Sequence, residues 1–127
     1  MEYISVVTMI AVVEYLVFLT LVGRARGKYG VEAPATTGHE IFERYYRVQQ
    51  NTIEQLVVFL PSLWLFGLFL NPSVASALGL VYVIGRALYV RGYVRDPSKR
   101  GLGFGIGFLA TAVLALGGLG GAIWAAL

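Results

Sequence analysis

RVQQNTIEQLVVFLPSLWLFGLFL, residues 47 to 70, sets an arginine, three glutamines, an asparagine and a glutamate directly against fifteen residues as oily as any membrane helix. Strong hydrogen-bonding groups at the edge of an apolar run are expensive unless something meets them. The stretch therefore reads as a membrane-spanning helix with a polar wall at one end.

The rest of the chain fits that reading. Of its 127 residues 57% are hydrophobic and 13% charged, too apolar for a soluble domain of this length. Four apolar segments, Tyr3 to Val22, Ile53 to Leu70, Val74 to Val94 and Leu102 to Leu127, are each near the ~20 residues that cross a bilayer core. The expected fold is all-α and integral to the membrane: one four-transmembrane-helix bundle over residues 1–127, with helices about 3–24, 41–70, 74–96 and 101–127. Continuous apolarity argues against barrel strands, which would alternate polar and apolar positions. The first segment lacks a basic leader and a small-residue cleavage site, so it is kept as a helix rather than a signal peptide.

All ten basic residues fall in two windows: Arg24, Arg26, Lys28, Arg44 and Arg47, then Arg86, Arg91, Arg95, Lys99 and Arg100. The connection Asn71-Pro72-Ser73 carries no charge, so the positive-inside rule puts both basic connections in the cytoplasm and both termini on the opposite face. With no basic arm or stacking platform on a soluble module, the net charge of +3 does not point to nucleic acid. Absence of cysteine removes disulfides, thiolate ligands and a protein thiol nucleophile, and the lone His39 rules out a multi-histidine metal site; no metal is expected.

Helical spacing puts Arg47, Asn51 and Glu54 on one stripe, with Arg44 extending it by a turn. Tyr82, Arg86, Tyr89 and Tyr93 form a second, and Arg100 follows Tyr93 by seven. The stripes are expected to meet, with Glu54 and Arg86 facing the bundle interior. An interhelical salt bridge that only specifies packing is one reading. The other is a pocket for an acidic, polar ligand, because one carboxylate facing several arginines leaves donors in excess. Glu14, mid-helix with no basic residue within a turn, reads as an interhelical hydrogen-bonding group. Gly103 with Gly107, and Gly117 with Gly121, give GxxxG spacings that predict close helix contact. GLGFGIG is out of register for a dinucleotide fingerprint and does not follow a strand.

FERYYRVQQNTIE, with GLVYVIGRALYVRGY downstream and RARGKYGVEAPATTG upstream, resembles the MAPEG family, the membrane-associated proteins of eicosanoid and glutathione metabolism. The likeness is to its glutathione transferase type two and leukotriene C4 synthase branch. It implies a four-helix protomer assembled as a homotrimer, with glutathione bound between neighbouring protomers near the cytoplasmic side. Carried over position by position, the family's glutathione contacts fall on Arg26, Arg47, Gln49, Asn51, Glu54, Arg86, Tyr89 and Tyr93, with arginines for the carboxylates and Glu54 for the amino group. Arg100 matches the arginine beside the glutathione sulfur, the catalytic position. The implied activity is conjugation of glutathione to lipophilic electrophiles, with glutathione-dependent reduction of lipid hydroperoxides as a further capacity. A non-catalytic lipid-binding scaffold, resembling the five-lipoxygenase-activating protein, is the alternative. Compact length favours a prokaryotic inner membrane over an endoplasmic reticulum. Gln55 and Val57 depart from the tyrosine and proline common there, and Gly27 stands where a second arginine serves a lipid substrate, which puts leukotriene synthesis in doubt.

Overall fold

A computed structural model describes all residues, Met1–Leu127, as four long helices: α1 (Glu2–Tyr29), α2 (Glu40–Phe69), α3 (Pro72–Arg95) and α4 (Gly101–Ala126). A 3-10 turn, Pro97–Arg100, joins the last two. All four are long and apolar enough to cross a membrane.

The local sequence explains the boundaries. α1 runs past the apolar segment that announces it, to Tyr29 rather than about residue 24, because hydropathy marks where the membrane ends and not where the helix does. Gly30 stops it in the left-handed conformation, φ 68°, donating its N–H to the Arg26 carbonyl. Arg26 and Lys28 in the last turn suit the negative end of the helix dipole. The lone histidine is a cap: His39 Nδ1 accepts from the Ile41 amide at 3.1 Å and starts α2. Asn71 starts α3 by accepting from the Ser73 and Val74 amides, with Pro72 at the first helical position.

α2 and α3 form the central pair, each packing against both α1 and α4, while α1 and α4 scarcely meet. The main core gathers Ile4, Val7, Phe59, Leu63, Tyr82 and Leu114, with the Phe59 and Tyr82 rings stacked at 3.8 Å between centroids. Among lipids, apolar burial drives helix association weakly, so close backbone approach matters more. Both GxxxG pairs provide it. A Cβ on Gly103 would run into the Tyr89 backbone of α3, and one on Gly117 would lie 2.5 Å from the Phe66 ring of α2.

Large apolar side chains cover the outside, among them Val57, Leu102, Leu109 and Leu116. The two basic connections lie at one end of the bundle, tied by Arg44, whose Nη1 donates to the Val94 carbonyl at 3.0 Å.

One expectation is corrected. Glu54 does not face the bundle interior; it is exposed on the outer side of α2. The buried line of that helix runs through Val48, Thr52, Leu56, Phe59 and Leu63, and two residues past Thr52 lies about 200° around the axis. Arg86 does face inward, and Thr52, not Glu54, meets it there.

Candidate active site

A cavity of about 300 Å³ opens where α2, α3 and the start of α4 converge, lined by Arg47, Asn51, Tyr89, Arg100, Gly101 and Phe104. Arg47 and Asn51 sit one turn apart on α2 and so reach it together. Tyr89 comes from α3, and Arg100 ends the 3-10 turn that folds back over it. Gly92 permits that fold: a Cβ there would lie 2.6 Å from the Lys99 carbonyl. Asp96 fixes the start of the turn, accepting from the Ser98 amide at 3.0 Å and from its hydroxyl at 2.9 Å. Those hydrogen bonds, with smaller help from the Lys99 and Arg44 charges, hold its carboxyl below the usual carboxylate range.

Behind Tyr89 stands a buried support. The Arg86 guanidinium lies 4.2 Å from the Tyr89 ring centroid, and Tyr93 stacks on Tyr89 at 5.6 Å. Arg86 Nη2 donates to Thr52 Oγ1 at 2.7 Å, and Thr52 passes its own proton to the Val48 carbonyl at 2.7 Å. Glu14 of α1 lies within electrostatic reach of Arg86 and Tyr82 without forming an ion pair; the single ion pair of the chain joins Arg44 to Glu40.

The nine candidate residues therefore separate into three groups. Arg47, Asn51, Tyr89 and Arg100 share the cavity, and Arg86 and Tyr93 back it. Arg26, Gln49 and Glu54 lie elsewhere. Arg26 clasps the α1–α2 connection, donating to the Ala35 carbonyl at 2.7 Å, with its guanidinium 4.8 Å from the Phe42 ring centroid. Gln49 donates to the Tyr15 hydroxyl of α1 at 2.9 Å. Sequence reasoning missed Gly101 and Phe104, which adjacency to Arg100 could have suggested. It also missed Thr52, which gave no signal, since a helical threonine ordinarily bonds only its own preceding turn.

Chemically the cavity offers two guanidinium groups, a phenol and an amide. Asn51 Oδ1 is a buried acceptor with no partner in the protein, so an N–H donor brought by a ligand would satisfy it. Such a set fits a ligand that combines carboxylates with amide or ammonium groups.

The model of the MAPEG family matches residues 4–120. The chain belongs to the MAPEG family. Among MAPEG relatives, an uncharacterized protein of Synechocystis sp. is 49% identical over 120 residues, covering 94% of this chain and 88% of its own. Microsomal glutathione S-transferase 2 of Homo sapiens is 42% identical over 119 residues, 92% of this chain and 80% of its own. Leukotriene C4 synthase of Bos taurus is 39% identical over 94 residues, 74% of this chain and 63% of its own. Family membership and four apolar helices together make this MAPEG protein an integral, multi-pass membrane protein.

Proposed function

We propose that the protein is a membrane-bound glutathione transferase that conjugates the glutathione thiolate to lipophilic electrophiles arriving from the bilayer. The observation that carries this reading is the convergence of Arg47, Asn51, Tyr89 and Arg100, from three separate elements, on one cavity beside an apolar lipid-facing surface. Relatives named as glutathione S-transferase and leukotriene C4 synthase support it.

In this reading Arg47 holds a glutathione carboxylate and Asn51 accepts an N–H of the tripeptide. Arg100 stands beside the sulfur. A free thiol has a pKa of about 8.5 and is mostly protonated at neutral pH. Lowering it by one unit needs about 1.4 kcal/mol of preference for the anion, well within what an adjacent guanidinium supplies in a partly desolvated site. The thiol proton leaves to water, the thiolate forms a carbon–sulfur bond, and the electrophile's leaving group departs with the bonding pair. The same thiolate would attack lipid hydroperoxides.

Glu54, Arg26 and Gln49 lie outside the cavity of one protomer, which accords with a homotrimer whose glutathione sites take residues from two subunits. An ionised Glu54 facing lipid would be costly, whereas a neighbouring protomer and a ligand ammonium would give it partners. The basic connections are assigned to the cytoplasm.

Stopped-flow detection of thiolate absorbance on mixing with glutathione, with turnover of a chlorodinitrobenzene-type electrophile, tests the assignment. Arg100→Ala is expected to lose the thiolate signal and on the order of a hundredfold in turnover, the usual cost of removing one charge-stabilising donor. Unchanged thiolate formation would remove Arg100 from catalysis. No glutathione binding by calorimetry, with a lipid ligand retained, would favour the scaffold reading.

A further inference from the structure

The turn between α3 and α4 has a second side. Opposite the Arg100 cavity, Arg91, Arg95 and Lys99 surround another hollow of about 330 Å³, with Leu88 and Leu102 on its walls. Arg91 and Arg95 are one turn apart on α3, and the close passage of Lys99 over Gly92 brings the third cation in. All three side chains are exposed and none is in an ion pair. Asp96, the acid nearest in sequence, is occupied by capping Ser98. α4 begins beside the hollow without a side-chain cap, so its first turn adds partial positive charge.

These cations differ from most others of the chain. Besides Arg47 and Arg100, only Arg24 and Lys28 are likewise without a protein acceptor, and they flank a smaller hollow of about 170 Å³ with Lys28 over the Tyr29 ring. Arg26, Arg44 and Arg86 donate to protein acceptors, and Arg47 and Arg100 line the glutathione cavity. Arg91, Arg95 and Lys99 converge on a space that nothing in the chain fills. Toward the membrane, the walls continue as exposed apolar side chains: Ile84 a turn from Leu88, and Leu109 two turns from Leu102. A cationic rim above an apolar track complements an amphiphile with an anionic head.

We propose that this hollow binds the headgroup of an anionic membrane phospholipid, its acyl chain lying along Leu88, Ile84, Leu102 and Leu109. The phosphodiester would sit among the three cations, at the end of the bundle where the basic connections lie. The assignment does not depend on glutathione chemistry.

Native mass spectrometry of the detergent-purified protein, incubated with phosphatidylglycerol or with phosphatidylcholine of the same chains, reads the site directly. Phosphatidylglycerol is expected to remain bound after the detergent is stripped, in clear preference to phosphatidylcholine. Each cation removed should weaken retention about fivefold, so Arg91→Gln/Arg95→Gln/Lys99→Gln should lose on the order of a hundredfold. Lys99→Glu, a single change on an exposed turn, should also lose retention should the triple variant fail to fold. Arg24→Gln/Lys28→Gln removes charge from the same end and should leave retention nearly unchanged. Equal retention of both lipids, or undiminished retention in Lys99→Glu, would overturn the proposal. So would an equal loss in the Arg24/Lys28 pair, which would mean diffuse attraction, and so would displacement by millimolar inorganic phosphate, which would mean a free-phosphate site.

Discussion

Arg86 is the largest fully buried side chain of the protein, 1% exposed, and few atoms hold it in place: Thr52 Oγ1 accepts one hydrogen bond from it, and the Arg86 Nε has no protein partner. A buried charge with so little compensation destabilises the fold by itself, so the acceptor it does have matters more than an average hydrogen bond. Thr52→Val keeps the shape and removes that acceptor. It is expected to cost about 1–3 kcal/mol, seen as a lower thermal midpoint in detergent, while Thr52→Ser stays near wild type. Because Arg86 lies under the Tyr89 ring, Thr52→Val should also weaken glutathione binding, measured by calorimetry. A threonine whose loss lowered neither would show that Arg86 is anchored from another side, with Glu14 the nearest acid available.

Among the helices, the contact of α3 with α4 decides whether the site exists, because Gly103 touches the backbone of the residue, Tyr89, that forms its floor. Gly103→Ala should therefore overpack the seam, costing about 1–3 kcal/mol, and displace Tyr89, with a rise in the glutathione dissociation constant. Gly105 on the same helix has open space where its Cβ would go, and Gly105→Ala should instead stabilise by about 0.5–1 kcal/mol with binding intact. Melting curves of the two variants side by side separate packing from helix propensity. The GxxxG spacing foretold that Gly103 and Gly107 lie at a close contact, and hydropathy foretold four helices. Which neighbour each glycine meets was not legible, because spacing along one helix carries no information about its partner. The polar stripe was read in the right register, and its Arg47 and Asn51 do meet Tyr89 of the second stripe; Glu54 alone turns away from the interior. Arg47 and Glu54 do share a side of α2, yet both are exposed, since polar residues at helical spacing look the same in a sequence whether their face turns into a core or away from it.

At the scale of the whole molecule, the basic end of the bundle holds the cavity lined by Arg47 and Arg100 and the hollow ringed by Arg91, Arg95 and Lys99, so on the proposed function the side it occupies decides which compartment supplies glutathione. Under the positive-inside rule that end is proposed to face the cytoplasm: the basic windows flank the α1–α2 and α3–α4 connections, and the α2–α3 connection is neutral. The absence of cysteine makes the assignment directly testable, because each introduced thiol is the only one in the chain. Thr36, on the α1–α2 connection, and Ser73, at the start of α3, are both exposed and lie at opposite ends. With a membrane-impermeant maleimide on intact cells, Ser73→Cys should be labelled and Thr36→Cys protected until the membrane is permeabilised. The reverse pattern would place the cavity where cytosolic glutathione cannot reach it, and the transferase reading would then need an external thiol supply. Labelling of both in half the molecules would mean dual insertion, which the one-sided distribution of cations disfavours.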